Sequence, residues 1–338
     1  MTKIKNLFRR IKTASFKRMF SNIEVVHKET GISKIIIFFD MLYCGLFKNI
    51  GYLDYFIFGF AGKPKSKRKT YMTYNHNTSL FKMVDDEKLS YLLKDKLAFN
   101  KHYKDYIGRN FFDPKEGDLE EFKKFVSDNK ELFIKPADSF GGLGIYKPVL
   151  INDETNVEEL YDYLKNNHLF LERLIKQNEK MASLNPTSIN TVRIVTLVVD
   201  NKPHFMYAVL RMGVNGMLVD NSSSGGLNTV LDENGRIAKA CFCDKTLSYY
   251  TVHPTTNMNL VGFEVPMFKQ AVDLCLKAAM VEPSLGYIGW DIAISDSGPV
   301  IVEANDLPGY DMCQNHGTNN SDLGILPKFE EVLGRKII

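Results

Sequence analysis

The chain predicts an α+β protein, with a helical N-terminal region followed by layers of mixed strands and helices. Three observations lead there. Residues 1–95 carry apolar side chains at helical spacing and show no βαβ pattern. Residues 131–147 read as strand, glycine loop and strand. Residues 289–309, Gly-Trp-Asp-Ile-Ala-Ile and then Gly-Pro-Val-Ile-Val-Glu-Ala-Asn-Asp-Leu-Pro-Gly, read as two apolar strands joined by the turn Ser295–Gly298.

Composition bounds the answer before any motif does. The chain has 338 residues, 44% hydrophobic and 25% charged, which is ordinary globular material for two or three domains. A net charge of +3 is too small to argue for nucleic acid. The five cysteines form no Cys-x-x-Cys pair and are odd in number, so they read as reduced thiols of a cytoplasmic protein. No secretory signal follows the basic start.

Residues 4–20 place Ile4, Leu7, Phe8, Ile11 and Met19 at helical spacing among Lys3, Lys5, Arg9, Arg10, Lys12, Lys17 and Arg18, with no acid. Such a basic amphipathic helix suits either peripheral contact with an anionic membrane surface or packing on its own domain with a solvated basic face. Residues 32–60 read as further apolar helix. The run 35–47 is interrupted by Asp40 and is too short for a membrane span. Lys63–Lys69 reads as an exposed basic loop. Residues 78–128 repeat Leu89, Leu92, Leu93 and Leu97 at helical spacing, punctuated by Asp113-Pro114. Next come the strand Glu131–Pro136, a helix over 155–166 and an apolar stretch Leu169–Ile175. Two β-rich runs, 191–199 and 204–211, are joined by an Asp-Asn-Lys-Pro turn. A helix over 266–281 ends before Glu282-Pro283. Ser222–Gly226 reads equally as a loop over a site or a surface turn. The expected division is 1–95, 96–170 and 171–338.

Chemistry concentrates in two places. In the final hairpin, Asp291 on one strand comes opposite Glu303 and Asn305 on the next. Residues two apart on a strand share a face, so two carboxylates and an amide oxygen converge. Those ligands suit Mg2+ bridging the phosphates of ATP. The second place is Lys135, on a strand that leads into Gly141-Gly142-Leu143-Gly144. A glycine loop offers backbone N–H groups to phosphate, and a strand lysine adds a point charge. The loop lies between two strands, so it is neither the Walker loop nor the dinucleotide fingerprint; alone, a hairpin turn would look similar. Arg193 sits between Val192 and Ile194 on an apolar strand and requires a polar partner. Asn190 reads as a ligand or as a loop-closing residue, and Lys96 by itself as a solvated helix lysine. No Gly-x-Ser-x-Gly elbow, Cys/His nucleophile pair or Cys/His metal spacing occurs.

Taken in order, these residues resemble the ATP-grasp superfamily, and within it the sugar-transfer-associated group related to alpha-L-glutamate ligases. The resemblance rests on Asp54-Tyr55, Leu93–Lys96 with Phe99, Phe133–Pro136 and Gly141–Gly144. It continues through Leu171–Ile175 with Gln177, Ser188–Arg193, Asp220-Asn221 and Gly225-Gly226, and ends with Asp291, Glu303, Asn305, Pro308, Gly309 and Gln314. It implies two α+β subdomains clasping ATP, with Lys96 and Lys135 on its phosphates. It also implies the segment with Glu172, Leu174 and Ile175 at the adenine, and Glu179 (Gln177 being the rival) at the ribose. Two Mg2+ ions would sit on Asp291, Glu303 and Asn305, with Arg193 and Arg211 neutralising the transferred phosphate or holding an acidic substrate. The implied activity is ATP-dependent joining of a carboxylate to an amine, with a cell-surface polysaccharide or its sugar precursor as acceptor at the inner membrane face. A kinase on the same fold and a nucleotide-binding protein without turnover are the rivals. Residues 1–95 depart from better-known ligases of the superfamily, so the acceptor is left open.

Overall fold

The computed structural model describes residues 16–136 and 148–338. The predicted glycine loop and most of the predicted N-terminal amphipathic helix lie outside the described residues.

The N-terminal region is helical, as expected: Phe16–Thr30, Lys34–Lys48 and Tyr52–Ile57 form three helices around Ile37, Met41, Cys44 and Phe56. Gly31 and Asn49 take positive φ at the two breaks, where a left-handed residue lets a helix end. The expected exposed loop Lys63–Lys69 is different. Lys65–Arg68 forms a helical turn, and Arg68 is drawn inward to a two-pronged ion pair with Asp40 (2.8 and 2.6 Å). The Lys63 ammonium lies 4.6 Å from the centroid of Tyr71. Counter-charge and aromatic faces, not solvent, hold these cations.

Two antiparallel sheets follow. The smaller has the order β1 (Phe111–Phe112), β4 (Leu169–Arg173), β2 (Glu131–Pro136), β3 (Pro148–Leu150). Its core is Phe122, Val126, Tyr161 and Leu164 from the helices Leu119–Asp128 and Val157–Asn166, packed on Leu132, Ile134 and Leu171. Asp118 and Glu121 close a capping box at the start of the first helix, and Asn156 caps the second. β4 crosses the boundary expected at 170/171.

The larger sheet runs β11 (Gly298–Asp306), β10 (Tyr287–Ser295), β5 (Val192–Val199), β6 (Lys202–Met212), β7 (Leu227–Val230), β8 (Cys241–Cys243), β9 (Ser248–Tyr250). The β5–β6 turn is tighter than expected: Asp200 and Asn201 alone make it, both at positive φ, and Lys202-Pro203 already belong to β6. Both faces are covered, which is why the central strands are apolar almost throughout. The helix Phe268–Ala279 lays Ala271, Cys275 and Ala278 on one face beside Val192, Ile194 and Trp290. Phe329 of the helix Leu326–Leu333 packs on Tyr207 and Tyr287 on the other. The N-terminal helices close the far edge, with Phe56 against Phe242 and Tyr249. All five cysteines are free and buried. Among the described residues no helix is long and apolar enough to cross a membrane.

Candidate functional site

A cavity of about 460 Å3 opens between the two sheets, a size usual for a small-molecule site. Its floor is a row across three neighbouring strands. Arg193 of β5 pairs with Asp291 of β10, which pairs in turn with Glu303 of β11. Directly opposed residues project to the same face, so the sheet register sets these three side by side. A bulge immediately after Asp291 skips Val302 and re-aims the edge strand there. Asn305, two residues beyond Glu303, lines the same cavity. Gly289 makes room: a Cβ there would come within 2.8 Å of Pro308 Cβ and 3.1 Å of Arg193 Cδ.

Charge on the floor is dense and paired. Both Asp291 oxygens accept from Arg193, and Oδ2 also accepts from Arg211 Nη2 at 2.8 Å. Burial opposes ionisation of Asp291, but the two guanidiniums outweigh it and hold its pKa down at about 2. Glu303 goes the other way. Burial, then the neighbouring Asp291 charge, push its carboxyl above the usual range. Asn305 Nδ2 is buried without a hydrogen-bond partner, but as an N–H donor it is no metal ligand. An acid raised by a like charge, beside a second carboxylate and the Asn305 amide oxygen, makes the oxygen donor set that fits a divalent cation. Asp291 retains lone pairs beyond those the arginines use. Among the described residues no cluster of three His, Cys, Asp or Glu side chains has metal-ligand spacing, so the two acids and the amide are the candidate set.

The roof is the smaller sheet. Phe133 and Lys135, two apart on β2, both line the cavity. Glu172 of β4 lies behind them, almost wholly buried. It accepts from Lys135 Nζ (2.6 Å), Asn100 Nδ2 (2.6 Å), Arg109 Nε (3.0 Å) and Arg109 Nη2 (3.1 Å). Burial disfavours its charge, yet the Arg109 and Lys135 charges prevail and keep it far below the ordinary carboxylate range. Lys96 opens the helix Lys96–His102, capped by Asp95, and also lines the cavity. Burial, then the nearby Lys135 charge, lower its pKa. Leu174 and Ile175 close the apolar end.

The structure therefore brings together Lys96, Lys135, Glu172, Leu174, Ile175, Arg193, Arg211, Asp291, Glu303 and Asn305. It leaves out two expected residues. Glu179 is exposed in the first turn of a short helix capped by Asn178, away from the cavity. Gln177, its rival, is spent on the backbone of Ser188 and Asn190. Asn190 is a loop-closing residue, not a ligand. It is fully buried, Nδ2 donates to Met181 and Asn185 carbonyls, and Oδ1 accepts from Gly213 N–H. Gly141, Gly142 and Gly144 lie outside the described residues. Sequence reasoning missed Arg109 and Asn100, which anchor Glu172, and gave no role to Asp220, which accepts from Thr191 N and Oγ1 beside Arg211. A buried-looking Arg109 after Gly108, ahead of Phe111-Phe112, was the available signal.

The family described as sugar-transfer associated ATP-grasp matches residues 66–320. No curated protein sequence matches the chain. Similar solved structures include the ATP-grasp ligase PsnB complexed with precursor peptide PsnA2 and AMPPNP, at 12% identity and TM-score 0.41, over 74% of this chain and 61% of that one. D-alanine–D-alanine ligase from Bacillus anthracis follows at 16% identity and TM-score 0.36, over 72% of this chain and 63% of that one. The chain thus spans about three-fifths of the length of these ligases. The family match covers well over half of the chain, and the protein belongs to the sugar-transfer-associated ATP-grasp family.

Proposed function

We propose that the protein is an ATP-dependent carboxylate–amine ligase that works through an acylphosphate. Its acceptor would be a cell-surface polysaccharide or the sugar precursor of one, joined to an amino acid or other amine. The observation that supports it best is the composition of the cavity. Lys96 and Lys135 face an acid pair and an amide across one space, with Arg193 and Arg211 beside the acids on the floor. No Ser, Cys or His stands among its described lining residues. Such a site is suited to charge neutralisation and positioning between two bound substrates, without a protein nucleophile.

In this reading a substrate carboxylate oxygen attacks the γ-phosphorus of ATP and ADP leaves. An amine nitrogen then attacks the acyl carbon, loses a proton and expels inorganic phosphate. Mg2+, two ions in this reading, would be held by Asp291, Glu303 and Asn305 and would neutralise phosphate charge. Lys135, fixed by Glu172, and Lys96 hold the phosphates from the roof. Arg193 and Arg211 meet the transferred group from the floor. Leu174 and Ile175 accommodate the base.

The test is turnover coupled to product mass. The protein is incubated with ATP, Mg2+, pooled amino acids and pooled uronic acids. ADP, free phosphate and a product equal to acid plus amine minus water are expected. ADP with a phosphorylated product and no free phosphate would replace the ligase by a kinase. ATP binding without turnover on monomeric and polymeric acceptors alike would replace it by a nucleotide-binding protein.

A further inference from the structure

The helix Lys34–Lys48 has two apolar faces, and only one of them is used. Ile37, Met41 and Cys44 are buried in the N-terminal core. On the other side, Ile35, Ile36, Phe39, Tyr43, Leu46 and Phe47 are 41–70% exposed. Their spacing of three to four residues puts them on one stripe. Phe20, 57% exposed on the neighbouring helix Phe16–Thr30, stacks on Phe38 with centroids 6.3 Å apart and widens the stripe. Exposed apolar residues are ordinary when scattered; a continuous face of them marks a contact surface.

The geometry points to an anionic lipid surface as what this face meets. The inference is independent of the ligase reading and moves the membrane contact expected from residues 4–20 onto this helix. Charge is the first argument. The outward face holds no acid. Asp40, the one acid of the helix, is turned inward, where Arg68 and Tyr55 bind it. Exposed Lys48 stands at one end, positioned to snorkel to headgroups, while Lys34 at the other end is ion-paired with Glu24 of the neighbouring helix. The sequence before the stripe, residues 1–18, adds seven Lys and Arg and no acid, the pattern that anionic lipids attract. Size is the second argument. At 15 residues the helix is about 22 Å long, short of the ~30 Å needed to cross, and its inner face is committed to the protein core. It suits lying in the interface plane. A second copy of the chain is the poorer occupant, because it would bring together two chains that each carry seven Lys and Arg and no acid over residues 1–18.

The experiment is co-sedimentation of the full chain with phosphatidylcholine vesicles, with and without phosphatidylglycerol. It is repeated with Phe39→Glu/Phe47→Glu and with the control Leu323→Glu, an exposed leucine elsewhere. Binding to the anionic vesicles is expected, weakening with salt, unchanged in the control and reduced at least about tenfold in the double variant. Light scattering should give one molecular mass for all three proteins. Three results would overturn the inference. One is wild-type protein that stays in the supernatant with anionic vesicles. Another is a double variant that binds as well as wild type, or drops to half the wild-type mass. The third is vesicle binding that appears only after residues 1–15 are deleted.

Discussion

Glu172→Gln is the change that most directly tests how the site is held. The substitution keeps the shape and removes the charge. In the native protein one buried carboxylate takes two bonds from Arg109 and one from Lys135, besides the Asn100 amide. The Arg109 side chain is 3% exposed, so after the change a guanidinium is left buried without a full counter-charge. Glutamine keeps one acceptor oxygen, so at most two of the three charge-assisted bonds survive, each falling from roughly 2 to roughly 1 kcal/mol, and its NH2 faces two donors. With the uncompensated charge the loss is about 3–5 kcal/mol, the usual cost of removing one partner from a buried pair. Urea unfolding of wild type, Glu172→Gln, Arg109→Met and the double variant measures it. The double variant should be less destabilised than the sum of the singles by about 2 kcal/mol. Lys135 loses its tether, so the KM for ATP should rise about tenfold. A Glu172→Gln protein within about 1 kcal/mol of wild type at unchanged m, or strictly additive singles, would refute the reasoning.

Further outcomes follow from other positions. Glu303→Ala and Asn305→Ala should each abolish turnover and leave the unfolding midpoint near wild type; near-normal activity would remove them from the candidate cation site. Gly289→Ala drives a methyl into Pro308 and Arg193, so about 1–3 kcal/mol of stability should be lost together with activity, as read by thermal unfolding and turnover. Asp85 gives a pH signature. Burial, partly offset by the Tyr287 N–H at 2.8 Å, pushes its pKa up to about 7 from the ordinary 3.8. The folded state therefore binds the extra proton between those limits, and stability contributed by the protonated acid is present below about pH 4 and lost as pH rises to about 7. Asp85→Asn should remove up to about 4 kcal/mol of that slope in urea titrations between pH 4 and pH 8. A wild-type profile flat over this range would contradict the burial of the charge.

The parts of the fold that were legible in the sequence are those set by local pattern. The hairpin of β10 and β11 announced itself by apolar runs around Ser295–Gly298, and Asp291, Glu303 and Asn305 were expected together on it. The register was not set by the turn alone: counted from Ser295 and Gly298, Asp291 would pair with Val302, and the bulge after Asp291 moves its partner to Glu303. Lys135 was legible because its strand is short and its neighbours apolar. What local pattern could not give was long-range pairing. Arg68 looked like one of several loop cations because Asp40, its partner, lies 28 residues earlier. Arg109 had no visible role because Glu172 is 63 residues away. Asn190 and Glu179 were misplaced for a related reason: their motif match fixed position along the chain, while backbone partners at Met181, Asn185 and Gly213 decide where the Asn190 amide points.

Arg109 does more than neutralise an acid. While Nε and Nη2 hold Glu172 of the smaller sheet, Nη1 donates to the carbonyl of Ile301 at 2.6 Å and Nη2 to that of Val302 at 2.9 Å, on the outer strand of the larger one. One planar side chain thus rivets two sheets together and blunts a strand edge that would otherwise offer carbonyls to another chain. A rivet resists sliding more than tilting. Lys135 hangs from the same carboxylate, so the contact that pins the layers also fixes where its ammonium points.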